Sequence, residues 1–143
     1  MDLAKYLKGL SSRFNKTTDR VENKVLLALD RAGQRLVDIA RESKTYQDET
    51  GNLTASIGYG VYHKGEEFSI GGFGGGNGEK EGVKRLSDVA SKHKSKAYVL
   101  VVVAGMEYAI YVERSGYIVL DVAKLKANSV ITEELNKVKV YIA

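Results

Sequence analysis

The hydrophobic period of this chain changes near residue 50, and the change dictates two kinds of local structure. Upstream, Val21, Val25, Leu29, Ala32, Leu36 and Ile39 recur every three or four positions. That spacing places side chains on one face of an α-helix. Asp19 with Glu22 three positions later has the form of a capping box, so a long helix is predicted over about residues 19–44. Gly33 alone opposes it, at about 1 kcal/mol relative to Ala. Leu3, Tyr6, Leu7 and Leu10 predict a shorter amphipathic helix over about residues 2–13. Ser11, Ser12, Asn15, Thr17 and Thr18 then read as a break between the two.

Downstream the period falls to two. After a polar loop at Tyr46 to Asn52, the residues Leu53, Ala55, Ile57, Tyr59 and Val61 alternate with Thr54, Ser56, Gly58 and Gly60. Alternation of this kind predicts a strand with one buried face. Tyr62 to Gly65 reads as a turn, and Glu67 to Ile70 as a second strand paired with the first in a hairpin. Val83, Leu86, Val89 and Ala90 predict a short helix. The run Ala97 to Ala104 suits a central strand buried on both faces. Tyr108 to Glu113 reads as a further strand and Arg114-Ser115-Gly116 as a tight turn, while Tyr117 to Leu120 fits either a strand or the start of a helix. A last helix is predicted over about residues 121–137, and Val138, Val140 and Ile142 suggest a final strand. The fold class is α+β: a long N-terminal helix, a mostly antiparallel sheet of four or five strands, and a C-terminal helix, within one domain spanning residues 1–143.

Two composition facts narrow the chemistry. The chain has no Cys, which removes disulfides, thiolate metal sites and Cys nucleophiles. Its two His, His63 and His93, lie in polar surroundings and read as solvated. No apolar run reaches the roughly 18 residues of a membrane span, and no signal region opens the chain, so a soluble protein made inside a cell is expected. The net charge of +4 is unevenly spread. Lys80, Lys84, Arg85, Lys92, Lys94 and Lys96 face only Glu81 and Asp88. Such a stretch is either a solvated helix face or a contact for phosphate or an acidic partner.

The low-complexity stretch Gly71-Gly72-Phe73-Gly74-Gly75-Gly76-Asn77-Gly78 invites a phosphate-loop reading, which fails. Gly78 is followed by Glu79-Lys80-Glu81, so the carboxylates would repel phosphate and the hydroxyl that binds Mg²⁺ is missing. The dinucleotide pattern fails as well, with Asn77 or Glu79 where its third glycine belongs. Glu107 and Glu113 are separated by roughly 20 Å at strand rise, too far for a carboxylate pair. No catalytic residue, cofactor or metal site is predicted. The glycine stretch, which loses much backbone entropy on ordering, is predicted to be a mobile loop. With the basic residues after it, it forms an insertion at about residues 71–96.

Two segments carry a resemblance. The first is Asp48-Glu49-Thr50-Gly51-Asn52-Leu53-Thr54-Ala55-Ser56-Ile57, directly after the long helix. The second is Glu107-Tyr108-Ala109-Ile110-Tyr111-Val112-Glu113. In order, spacing and setting the pair resembles the small tail-completion, or head–tail joining (neck), proteins of tailed bacteriophages, over roughly residues 20–125. Thr50, Gly51, Leu53, Ser56, Ile57, Tyr108, Ala109, Tyr111, Val112 and Glu113 carry the likeness and read mainly as turn and core residues. The resemblance implies a non-enzymatic virion protein, made in the host bacterial cytoplasm and located at the neck. It implies a homo-oligomeric ring, with portal or adaptor and tail proteins as partners, and packaged DNA in the lumen as a non-specific contact. The glycine loop and the basic residues would then touch another virion component. The competing expectation is a small nucleic-acid-binding module that uses residues 80–96.

Overall fold

The computed structural model describes residues 3–42, 51–105 and 120–138. Helix α1 (Leu3–Glu42) is 40 residues long, about 60 Å at helical rise. The break expected between residues 13 and 19 is absent, and the Asp19–Glu22 pair lies inside the helix instead of starting it. The physical reason is that Ser, Thr and Asn each cost only about half a kcal/mol in a helix interior. A second helix would need a new nucleus, which is far less favourable than continuing the first.

The single-turn helix α2 (Asn52–Ala55) follows Gly51, which reverses the chain at φ +72°, a conformation glycine adopts without a Cβ penalty. Strand β1 (Ile57–His63) therefore begins at Ile57 and not at Leu53. Leu53 and Ile57 are four residues apart, so they satisfy helical and strand spacing equally, and a segment this short cannot be assigned by period. Strand β2 (Glu66–Gly71) pairs antiparallel with β1 in the expected hairpin. The register slips between Val61 and Tyr62, leaving Phe68 opposite no partner. Helix α3 (Gly76–Ser91) starts inside the glycine stretch, seven residues before Val83. Strand β3 (Tyr98–Ala104) pairs antiparallel with the other edge of β1. Helix α4 (Asp121–Asn136) matches the predicted last helix. Leu120 is its N-terminal flank, which favours the helical alternative for that residue.

Among the described residues the sheet has three strands in the order β2–β1–β3, not four or five. The strand expected at Tyr108 to Glu113, the turn after it and the C-terminal alternation from residue 139 onward lie outside the described residues, as does Thr50. Within these three strands the middle one is β1, with the valine-rich β3 beside it. Strand β1 is covered on both faces, against the expectation of one. Ile57, Tyr59 and Val61 meet Leu26, Leu29, Ala32, Leu36 and Val37 of α1, with Ala123 and Val130 of α4 completing that core. On the other face Leu86 of α3 packs with Val101 and Val103 of β3, flanked by Tyr62, Phe73 and Val89. Gly58 and Gly60 lie buried between β1 and this second layer. A run of small residues on one strand face thus lets a helix approach closely, which reads in sequence as a polar face.

Candidate functional site

The motif residues that the structure describes hold backbone together. Leu53, Ser56 and Ile57 are fully or almost fully buried. The Ser56 hydroxyl donates to the Leu53 carbonyl at 2.7 Å and accepts from the Gly105 N–H at 3.1 Å. The Ser56 carbonyl accepts from the same N–H at 3.2 Å. Ser56 therefore ties the start of β1 to the end of β3, directly before the segment that carries the second motif. Tyr108, Ala109, Tyr111, Val112 and Glu113 lie outside the described residues.

Arg41, near the end of α1, supports the same corner. Its guanidinium donates to the carbonyls of Thr54 at 3.4 Å, Ile57 at 3.2 Å and Gly72. One side chain thus joins α1, α2, β1 and the loop after β2. No periodic signal marks it, because a residue that bonds carbonyls from three segments belongs to no repeat.

The glycine stretch divides into several roles. Gly71 ends β2, and Gly72, Gly75 and Gly76 take positive φ. Asn77 and Gly78 lie in the first turn of α3. The Gly74 N–H donates to the Ala55 carbonyl at 3.0 Å, which fastens the loop to α2. Phe73 inserts its ring between strand and helix. A Cβ on Gly58 would lie 2.4 Å from that ring, and one on Gly82 would lie 2.5 Å from it. Gly72, Phe73 and Gly78 sit against the body, whereas Gly74, Gly76 and Asn77 are exposed, so glycine here serves close approach at some positions and turning at others.

The basic candidates Lys80, Lys84, Arg85, Lys92, Lys94 and Lys96 are all exposed. The first three lie on α3, and the last three lie in the turns between α3 and β3. The Lys64 N–H donates to the Ala97 carbonyl at 3.0 Å, so the β1–β2 turn and this lysine-rich connection meet at one end of the sheet. His93 is exposed there. His63 departs from expectation: its side chain is mostly covered at the end of β1, with Nε2 3.9 Å from a Glu22 carboxylate oxygen and the ring tilted by 32° against Tyr98, centroids 4.9 Å apart. Strand pairing with β3 covers it, which a local reading of a polar turn cannot foresee.

Two polar clusters were missed from sequence. Asp30 accepts hydrogen bonds from the Tyr59 hydroxyl at 2.8 Å and from the Ser69 hydroxyl at 2.7 Å. Burial first, and the Asp30 carboxylate second, push the Tyr59 hydroxyl above its ordinary pKa. The second cluster is Glu134 on α4, which is almost wholly buried. It accepts from Lys137 at 3.1 Å, Arg31 at 3.1 Å and Arg35 at 3.0 Å, and Arg35 also reaches Glu133 at 2.7 Å. Hydrogen bonds from Lys137, Arg31 and Arg35 outweigh desolvation and hold the Glu134 carboxyl at about 2. The signal was present as Arg31 and Arg35 at helical spacing and a Glu133-Glu134 pair, but nothing local joins α1 to α4. Both clusters clamp secondary-structure elements to one another. Among the described residues no group of three or more acidic, His or Cys side chains could hold a metal ion, and no helix is long and apolar enough to cross a membrane.

The family model described as "Bacteriophage HK97-gp10, putative tail-component" matches residues 8–114. No curated protein and no solved structure matches the chain.

Proposed function

The chain belongs to the HK97-gp10-like family of bacteriophage proteins, and on that premise we propose that it is a structural virion protein that forms a homo-oligomeric ring in the neck, between portal and tail. The observation that carries this reading is the family match itself, which takes in α1, the sheet and both motif segments. The roles of Gly51, Ser56 and Arg41 support it, because each stabilises backbone at one corner of the fold and none presents a reactive group. A ring built from identical copies needs two different surfaces per subunit, joined head to tail and closed by rotation. The loop before α3 and the lysine-rich connection after it are candidates for contact with portal, adaptor or tail proteins.

A phage carrying a stop codon in this gene tests the proposal. Filled heads and separate tails should accumulate, and the supplied protein should restore joined particles. Joined, infectious particles formed without the protein would refute it.

The exposed lysines favour a second reading, contact with nucleic acid. Lys80, Lys84, Lys92, Lys94 and Lys96 would neutralise phosphates without reading bases, so affinity should fall steeply as salt rises. Retention on duplex DNA that does not change between low and moderate salt would exclude that reading.

A further inference from the structure

We propose that the N-terminal arm of α1 in one copy docks on the open face of β2 in a second copy. This rests on the ring reading and supplies its two unlike surfaces.

The arm leaves the body at a defined point. Glu22 lies 3.7 Å from Lys64 at the β1–β2 turn, and among the described side chains the buried ones of α1 begin at Leu26. Residues before Glu22 continue the same helix past the end of the sheet. At helical rise, Leu7 is about 22 Å beyond Glu22. Leu3 and Leu7 share a face at i, i+4 spacing and are 67% and 53% exposed. The same spacing continues in sequence at Leu10 and Phe14. Most helical stability in proteins comes from packing of an apolar face, so a cover over Leu3 and Leu7 would stabilise the arm. The chain's own β2 is out of reach, because helical rise carries Leu7 about 22 Å beyond Glu22, which itself lies at the β1–β2 turn.

The complementary surface is β2. It is an edge strand among the described residues. Its Ser69 side turns to Asp30 under α1. On the opposite side α3 packs over β1 and β3 but makes no comparable contact with β2. Phe68 and Ile70 are left exposed, preceded by exposed Glu66 and Glu67. An apolar strand edge of this kind is a site that proteins cover or pair. Charge matches the two surfaces. From residue 3 to residue 20 the arm carries Lys5, Lys8, Arg13, Lys16 and Arg20 against Asp19 alone, while β2 opens with two carboxylates. Two arms of the same positive sign repel one another, which disfavours arm–arm pairing, whereas the carboxylates of β2 attract the arm. Because the two patches differ, the contact is heterologous and propagates around a ring.

The absence of Cys from the chain makes the contact directly testable. Leu7→Cys and Phe68→Cys proteins, purified separately and mixed under mild oxidation, should give a disulfide-linked heterodimer. The double variant should give a ladder of covalent multimers. Lys5→Glu with Lys8→Glu should cut the crosslink yield at least tenfold, and Glu66→Lys with Glu67→Lys on the partner should restore it. Leu7→Cys homodimers alone, an intrachain bridge in the double variant, or no crosslink would each overturn the proposal. Circular dichroism of each variant checks that α1 remains helical. Rings of the unaltered protein without the crosslink would sink the docking contact alone, whereas joined virions formed without the protein would sink the ring reading.

Discussion

Gly33 on α1 and Tyr59 on β1 are in van der Waals contact so close that a Cβ on Gly33 would stand 2.4 Å from the Tyr59 ring. Helix propensity alone favours Gly33→Ala by about 1 kcal/mol. Contact with the ring reverses the sign, because Tyr59 is buried and held by Asp30 and cannot swing away. Gly33→Ala should therefore destabilise the protein by about 1–3 kcal/mol, the usual cost of overpacking. Urea unfolding checks this, and a stabilised variant would show that the ring moves freely.

Ser56→Ala removes the hydroxyl between Leu53 and Gly105. The Gly105 N–H keeps the Ser56 carbonyl as acceptor, so the loss should stay near 1 kcal/mol. Ser56→Val adds a methyl to a fully buried site and should cost about 2 kcal/mol more. The midpoints of denaturant unfolding for the two variants give the comparison.

The Glu134 carboxyl sits at about 2 in the folded protein against an ordinary 4.5. A depressed carboxyl contributes stability that is fully present above the ordinary value and is lost as pH falls through the folded value. Stability should thus decline between pH 4.5 and 2. Glu134→Gln should lose about 1.5–3 kcal/mol at neutral pH, and the gap to the parent should close near pH 2. Thermal unfolding across that window tests the sign, and a gap that persists at the acid end would refute it.

Arg41→Met keeps the aliphatic stem and removes the donors to Thr54, Ile57 and Gly72. The loop that begins at Gly72 should loosen before the core does. Amide exchange at Gly74 should accelerate about tenfold, equivalent to about one charge-assisted hydrogen bond. Exchange at Val61 and Val101 should be unchanged.

Lys92→Glu, Lys94→Glu and Lys96→Glu together alter only exposed side chains and should change stability by less than about 0.5 kcal/mol each. If these lysines meet phosphate, the triple variant should bind duplex DNA more weakly at every sequence and with a shallower salt dependence. Unaltered binding would remove the lumen-contact role from this segment.

The parts legible in the sequence were those encoded by local period. The apolar stripe of α1 and the β1–β2 hairpin are legible because their spacing is sustained over several turns or flanked by a turn signal, whereas of α4 only the span is legible, since its Leu125 and Leu135 are exposed. The break expected after residue 13 failed because weak helix formers were read as stops, although none is a Gly or Pro. The start of β1 failed because Leu53 and Ile57 fit both periods. The family motif was legible as a pattern, but the role of Ser56 was not, since its partner Gly105 is 49 residues away.

Local residue order is enough to set the alternation of helical and extended segments, the exclusion of thiol chemistry and the likeness to the phage family. Only long-range packing placed β1 between β2 and β3, made the glycines at 33, 58 and 82 seats for Tyr59 and Phe73, buried Glu134 and covered most of His63. The reason is one of range. Period and propensity act within a few residues, whereas steric contact and desolvation depend on atoms that the chain brings together from far apart.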